Sequence, residues 1–120
     1  MSTPAEALDR VNAVRGIRGA MVVSLGDGLV VAESMMTGLD GRAAAALAAS
    51  LAARLRRALE VAGRRPPAFV QLHGEGGSLL AVPCGDELLL VAIAGPEANV
   101  GLARLELIAT AGALAAGSLA

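Results

Sequence analysis

Apolar positions recur along this chain with two periods. Over residues 39–63 (LDGRAAAALAASLAARLRRALEVAG) the period is that of a helix. Leu47, Leu51, Leu55 and Leu59 return every four residues and form one slowly drifting row. Ala44, Ala48 and Ala52 form a second, smooth row, and Ser50, Arg54 and Arg57 gather on another side. Asp40 is placed to cap the start, with Leu39 before it as a staple. Gly63 ends the helix, and Arg64-Arg65-Pro66-Pro67 forbids its continuation. Such a helix has two usable apolar faces. The leucine row is expected to pack on the chain's own sheet. The alanine row, which lets another backbone approach closely, is expected to meet a second chain.

Elsewhere the pattern is that of strands. Residues 20–25 (AMVVSL) and 29–33 (LVVAE) flank Gly26-Asp27-Gly28, a hairpin signal. Residues 68–73 (AFVQLH) alternate, with Phe69, Gln71 and His73 on one side and Val70 and Leu72 on the other. After a turn at 74–77 come strands at 78–82 (SLLAV) and 87–94 (ELLLVAIA), joined through 83–86. Thr3-Pro4-Ala5-Glu6 reads as a capping box that opens a first helix running to about Val14. Gly95-Pro96-Glu97 opens a last one that passes through Arg104 and Glu106. The order is helix, two strands, helix, three strands, helix: an α/β (α+β) chain forming one domain over residues 1–120, with 114–120 expected to fray.

Strand chemistry places two of the strands. LLLVAIA has no polar residue and belongs in the middle of the sheet, covered on both faces. AFVQLH, entered through Pro66-Pro67 and carrying Gln71 and His73, suits an edge. Nothing in its sequence blocks that edge, and an open edge is a pairing hazard unless it is used. The reading is that it pairs with its own copy across a two-fold axis.

Composition narrows the function. With 55% hydrophobic residues but one Phe and no Tyr or Trp, the core is aliphatic, and the apolar excess points to an interface. A net charge of −1 gives no reason to expect nucleic acid. All ten cations are Arg. A lone Cys84, no signal-like N-terminus and an uncharged run at 107–120 too short to span a bilayer favour a cytoplasmic protein with no membrane span.

The run Val14-Arg15-Gly16-Ile17-Arg18-Gly19-Ala20-Met21-Val22-Val23, followed by Asp27-Gly28-Leu29-Val30-Val31-Ala32, resembles the opening of the Roadblock family. That family includes roadblock-type dynein light chains and bacterial MglB-type regulators of small GTPases. Gly74 to Gly77, Pro83, Gly85-Asp86 and Ala98-Asn99-Val100-Gly101-Leu102-Ala103-Arg104 are similar to its later landmarks. The resemblance implies a three-layer α/β/α sandwich: a five-stranded antiparallel sheet between the long helix and the two terminal helices. It also implies a homodimer formed through the long helix and the third strand, with a small Ras-like GTPase as partner. The very alanine-rich long helix and the uncharged tail depart from the family's pattern.

Candidate chemistry is thin. A Cys–His nucleophile needs His73 and Cys84 adjacent with an orienting third group; the plainer reading is an edge or interface His and a small turn Cys. A zinc centre needs about four ligands, and the sulfur and nitrogen ligands run out at two. A phosphate loop needs Gly-Lys-Ser/Thr opening a helix, whereas both glycine clusters join strands and there is no Lys. No catalytic residue, cofactor or metal is expected. Arg54 and Arg57, with Ser50 and Arg56, form either a solvated face or a partner-binding patch. The expected dimer interface is Ala44, Ala48, Ala52, Phe69, Gln71 and His73. The expected function is a non-enzymatic homodimeric regulator or scaffold of a small Ras-like GTPase; the alternative is a pure assembly module that leaves nucleotide turnover unchanged.

Overall fold

The computed structural model describes residues 3–36 and 38–118. Its elements are α1 (Pro4–Asn12), β1 (Ile17–Ser24), β2 (Val30–Met35), α2 (Gly41–Val61), β3 (Val70–Gly74), β4 (Gly77–Cys84), β5 (Leu88–Ala94) and α3 (Val100–Ala113). The five strands form one antiparallel sheet in the order β2-β1-β5-β4-β3. The apolar strand β5 lies at its centre and β3 lies at one edge. Of the expected tail, residues Leu114–Ser118 continue α3 as a π-helical turn with Leu114 buried; the last two residues lie outside the described residues.

Alternation along each strand sends side chains into two apolar layers. Ala20 and Val22, Leu80 and Val82, and Leu90 and Ala92 face α1 and α3, where they meet Leu8, Val11, Ala103 and Leu107. Met21, Val23, Ala81, Leu89 and Val91 face α2. The result is a three-layer sandwich with the sheet in the middle.

Local chemistry sets the ends. The Thr3 hydroxyl accepts from the Glu6 N–H at 3.1 Å and the Glu6 carboxylate accepts from the Thr3 N–H at 3.4 Å, closing the capping box. Asp40 caps α2 by accepting from the Ala43 N–H at 3.1 Å. The last helix begins later than its Pro96 suggested. Asn99 takes the cap by accepting from the Leu102 N–H at 3.0 Å, and residues 95–98 form a turn. That turn is fastened to the α1–β1 connection, because the Gly95 N–H donates to the Gly16 carbonyl at 2.8 Å. Gly16 sits at φ +91°, and a β-carbon there would lie 2.5 Å from the Ala98 α-carbon. Only glycine permits both the conformation and the approach.

Candidate protein–protein interface

The roll of α2 about its axis decides what this chain presents to a partner. Gly41, Ala45, Ala48, Ala49 and Ala52 are the buried residues of the helix, and its alanines lie on Met21, Val23, Leu89 and Val91. The leucines lie elsewhere: Leu47 is 53% exposed and Leu55 38%, while Leu51 and Leu59 are half-buried. The packing expected from the sequence is therefore inverted. Ala48 and Ala52 rest on the chain's own sheet, Ala44 is half-buried beside them, and the leucine row is the outward apolar surface. The cause lies in the sheet. Its strands fill this layer with large side chains, so the helix that closes on it contributes small ones.

The leucine row also has a direction. Arg42 and Ala46 line a groove of about 620 Å³ beside β2. At about 100° per residue, Leu47, Leu51 and Leu55 fall on the other flank of the helix, and Leu59, about 120° on from Leu47, comes round toward the sheet side.

The two sheet edges differ. On β2 the register shifts between Val22 and Val23 of β1, a bulge of the kind that blunts an edge, and the strand carries Glu33. On β3 the ladder to β4 runs without interruption from Val70↔Ala81 to Gly74↔Gly77, and Gln71, Leu72 and His73 are all exposed. The unguarded edge is thus β3.

The sequence-derived site residues separate into groups. Gln71 and His73 stand on the open edge. Phe69 precedes β3 and turns to the other layer, half-buried, with the Arg104 guanidinium 5.1 Å from its ring centroid. Ser50, Arg54 and Arg57 are exposed on the outer side of α2, and no ion pair engages either arginine among the described residues. Sequence reasoning passed over Leu72, 41% exposed on β3, because its alternation put it on the side assumed to be inward. It also passed over an outward ridge on α3, Leu102, Leu105 and Ile108, which are 50, 67 and 42% exposed. The three-residue spacing of that ridge was legible in the sequence.

His73 and Cys84 do not meet. His73 lies opposite Ser78 with Nδ1 3.0 Å from the Ser78 hydroxyl. Cys84 ends β4 six residues farther on, roughly 20 Å along an extended strand. Burial pushes its thiol up to about 11, so the thiolate that a nucleophile needs is scarce. A cavity of about 360 Å³ beneath the last turns of α2 is lined by Ala52, Arg56, Glu60, Pro66, Pro67, Val70 and Leu89 among others, and by neither His73 nor Cys84. No cluster of three potential metal ligands occurs among the described residues, and none of their helices is long and apolar enough to cross a membrane.

Comparison with known proteins follows the same outline. A family model described as the Roadblock/LC7 domain matches residues 4–94. No curated protein matches significantly. Among solved structures, the gliding protein MglB of Thermus thermophilus is similar at 22% identity with a TM-score of 0.82, covering 97% of this chain and 91% of that one. Myxococcus xanthus MglB is similar at 21% identity and a TM-score of 0.83, covering 92% and 83%. A Roadblock/LC7 domain from Streptomyces avermitilis is similar at 23% identity and a TM-score of 0.79, covering 95% of each chain. At these identities the likeness establishes the fold.

Proposed function

This chain belongs to the Roadblock/LC7 family, and from that premise we propose that it is a homodimeric, non-enzymatic regulator or scaffold of a small Ras-like GTPase in the cytoplasm. The observation that carries the proposal is the regular, unguarded β3 edge, in a chain whose α2 also turns leucines outward. A strand edge satisfies its backbone groups by pairing, and the outward leucines of α2 would supply the apolar area that pairing alone lacks. A second copy offers both at once. The dimer surface proposed is Leu47, Leu51, Leu55 and Leu59 with Gln71, Leu72 and His73. The outer side of α2, with Ser50, Arg54 and Arg57, then stays free and is doubled by the two-fold axis. We assign it to the GTPase, by likeness to the MglB-type regulators.

Light scattering across a dilution series, followed by capture of the same genome's Ras-like GTPases in each nucleotide state, tests this reading. A mass of two chains and retention of a GTPase are expected. A single-chain mass at all concentrations, or no GTPase retained in either state, overturns it. The outward ridge Leu102, Leu105 and Ile108 favours one rival, an assembly module that tethers a larger complex by a second apolar surface. Binding with an unchanged hydrolysis rate selects that rival.

A further inference from the structure

The ladder of the sheet determines how two copies would join, given the dimer proposed above. Two bonds on the far side set the parity. The Met36 N–H donates to the Arg18 carbonyl at 3.0 Å, and the Ser24 N–H donates to the Leu29 carbonyl at 2.9 Å. The even-numbered residues of β1 therefore turn their backbone groups toward β2, and Met21 and Val23 turn theirs toward β5. Carried through the registers Met21↔Val91, Leu90↔Val82 and Ala81↔Val70, the alternation turns Val70, Leu72 and Gly74 toward β4. Gln71 and His73 are left with their N–H and C=O groups pointing out of the sheet. The hairpin between Gly74 and Gly77, a two-residue turn closed by that pair, agrees.

We infer that β3 pairs with its copy in a single register, with Leu72 on the two-fold axis. Gln71 of each protomer then exchanges both backbone hydrogen bonds with the partner subunit's His73, and the outward groups of the strand are all used. Centred on His73, the strand would set Gln71 opposite the partner subunit's Glu75, in the turn. Centred on Gln71, it would set His73 opposite the partner subunit's Phe69, which is already covered by Arg104. With Leu72 at the centre, its exposed side chain meets its own copy in a non-hydrogen-bonded pair, where side chains come closest. That contact falls on the α2 side of the sheet, shared with Val70. Leu72 is the residue that sets the register.

Cysteine cross-linking in a Cys84→Ser background tests the register. A non-hydrogen-bonded pair has α-carbons about 4.5 Å apart, within disulfide range. Mild oxidation of Leu72→Cys is expected to give a covalent dimer in non-reducing gels. Gln71→Cys and His73→Cys are each expected to remain single chains alone and to cross-link when mixed. Self-linking of Gln71→Cys or His73→Cys, with none at Leu72, overturns the register and leaves the dimer standing. A light-scattering dimer that links at none of the three positions overturns both the register and the β3 interface. Amide exchange of the unaltered chain gives a second readout: the Gln71 and His73 N–H groups are protected in the dimer and exposed on dilution. Fast exchange of both in a confirmed dimer counts against the pairing whatever the variants do.

Discussion

The α-carbon of Gly77 is pressed against the backbone carbonyl of Ala94, so that a β-carbon on Gly77 would overlap the carbonyl oxygen. Gly77 also sits at φ +135°, a conformation that L side chains rarely adopt. Both features hold the start of β4 against the end of β5, and so hold the hairpin that carries the β3 edge. Gly77→Ala is expected to cost more than about 2 kcal/mol by urea unfolding. Its neighbour is the control: a β-carbon on Gly76 meets nothing within 4 Å, and Gly76→Ala should fall within about 0.5 kcal/mol of the parent. Equal costs at the two positions would mean that the close approach to Ala94 does not exist.

The roll of α2 predicts opposite outcomes for its two rows. Ala48 is 2% exposed on the layer formed by Met21, Leu89 and Val91, so Ala48→Leu overpacks it and should cost about 1–3 kcal/mol or more of folding stability. Leu51 and Leu55 flank the helix, and alanine at either should leave the single chain's stability within about 1 kcal/mol. The pair of changes should instead weaken self-association by about tenfold or more, since each removes apolar area from the proposed interface. Unfolding measured alongside sedimentation separates the two. A loss of several kcal/mol from Leu51→Ala at concentrations where the chain is single would put that side chain back under the helix.

The sheet was largely legible in the sequence, for reasons that particular strands make plain. An unbroken LLLVAIA has no face to give to water, and AFVQLH has two polar side chains to place at an edge; sheet position follows from that alone. The α2 rows were harder. Leucine and alanine recur there with the same spacing, and the preference for burying the larger side chain chose wrongly. The deciding fact belongs to other strands: Met21 and Leu89 already fill the layer, and the helix must be small where it meets them. The exposure of Leu72 was missed for a different reason. Leu72 alternates onto the α2 side, which looks inward in the sequence, and is exposed because β3 has no neighbour beyond it. The start of α3 shows a third kind of miss, in which the strong signal of Pro96 lay a few residues before the true cap at Asn99.

Burial governs the chemistry of Cys84. At 5% exposure with its thiol raised to about 11 from an ordinary 9.0, it carries about a hundredfold less thiolate at pH 8 than a free thiol. A disulfide reagent should therefore label the native chain at least about a hundredfold more slowly than the urea-unfolded chain. The same shift has a sign in stability. The unfolded thiol ionises from about pH 9 while the folded one stays protonated toward 11, so stability present below pH 9 is lost as pH rises through that window. Cys84→Ala should remove that part of the alkaline slope. Rapid labelling of the native chain at pH 8 would show a thiol that reaches solvent.

Thr110 presents a buried hydroxyl without a partner. It is 2% exposed on the inner side of α3, and Oγ1 has no hydrogen-bond partner among the described residues. Its helix neighbours Leu107, Ala111 and Leu114 are apolar and buried. Desolvating a hydroxyl without a compensating bond costs about 1–3 kcal/mol in proteins. Valine has nearly the same shape, the same branching at Cβ and a similar helix propensity. Thr110→Val is therefore expected to stabilise the fold by about 1 kcal/mol, read as a higher urea midpoint at an unchanged slope. Thr110→Ser separates the hydroxyl from the methyl group: it keeps the unpaired oxygen and loses packing, and should destabilise by about 1 kcal/mol. A loss of stability in both variants would mean that the hydroxyl does find an acceptor, such as a carbonyl one turn earlier in the helix, and that valine removes a bond as well as an oxygen.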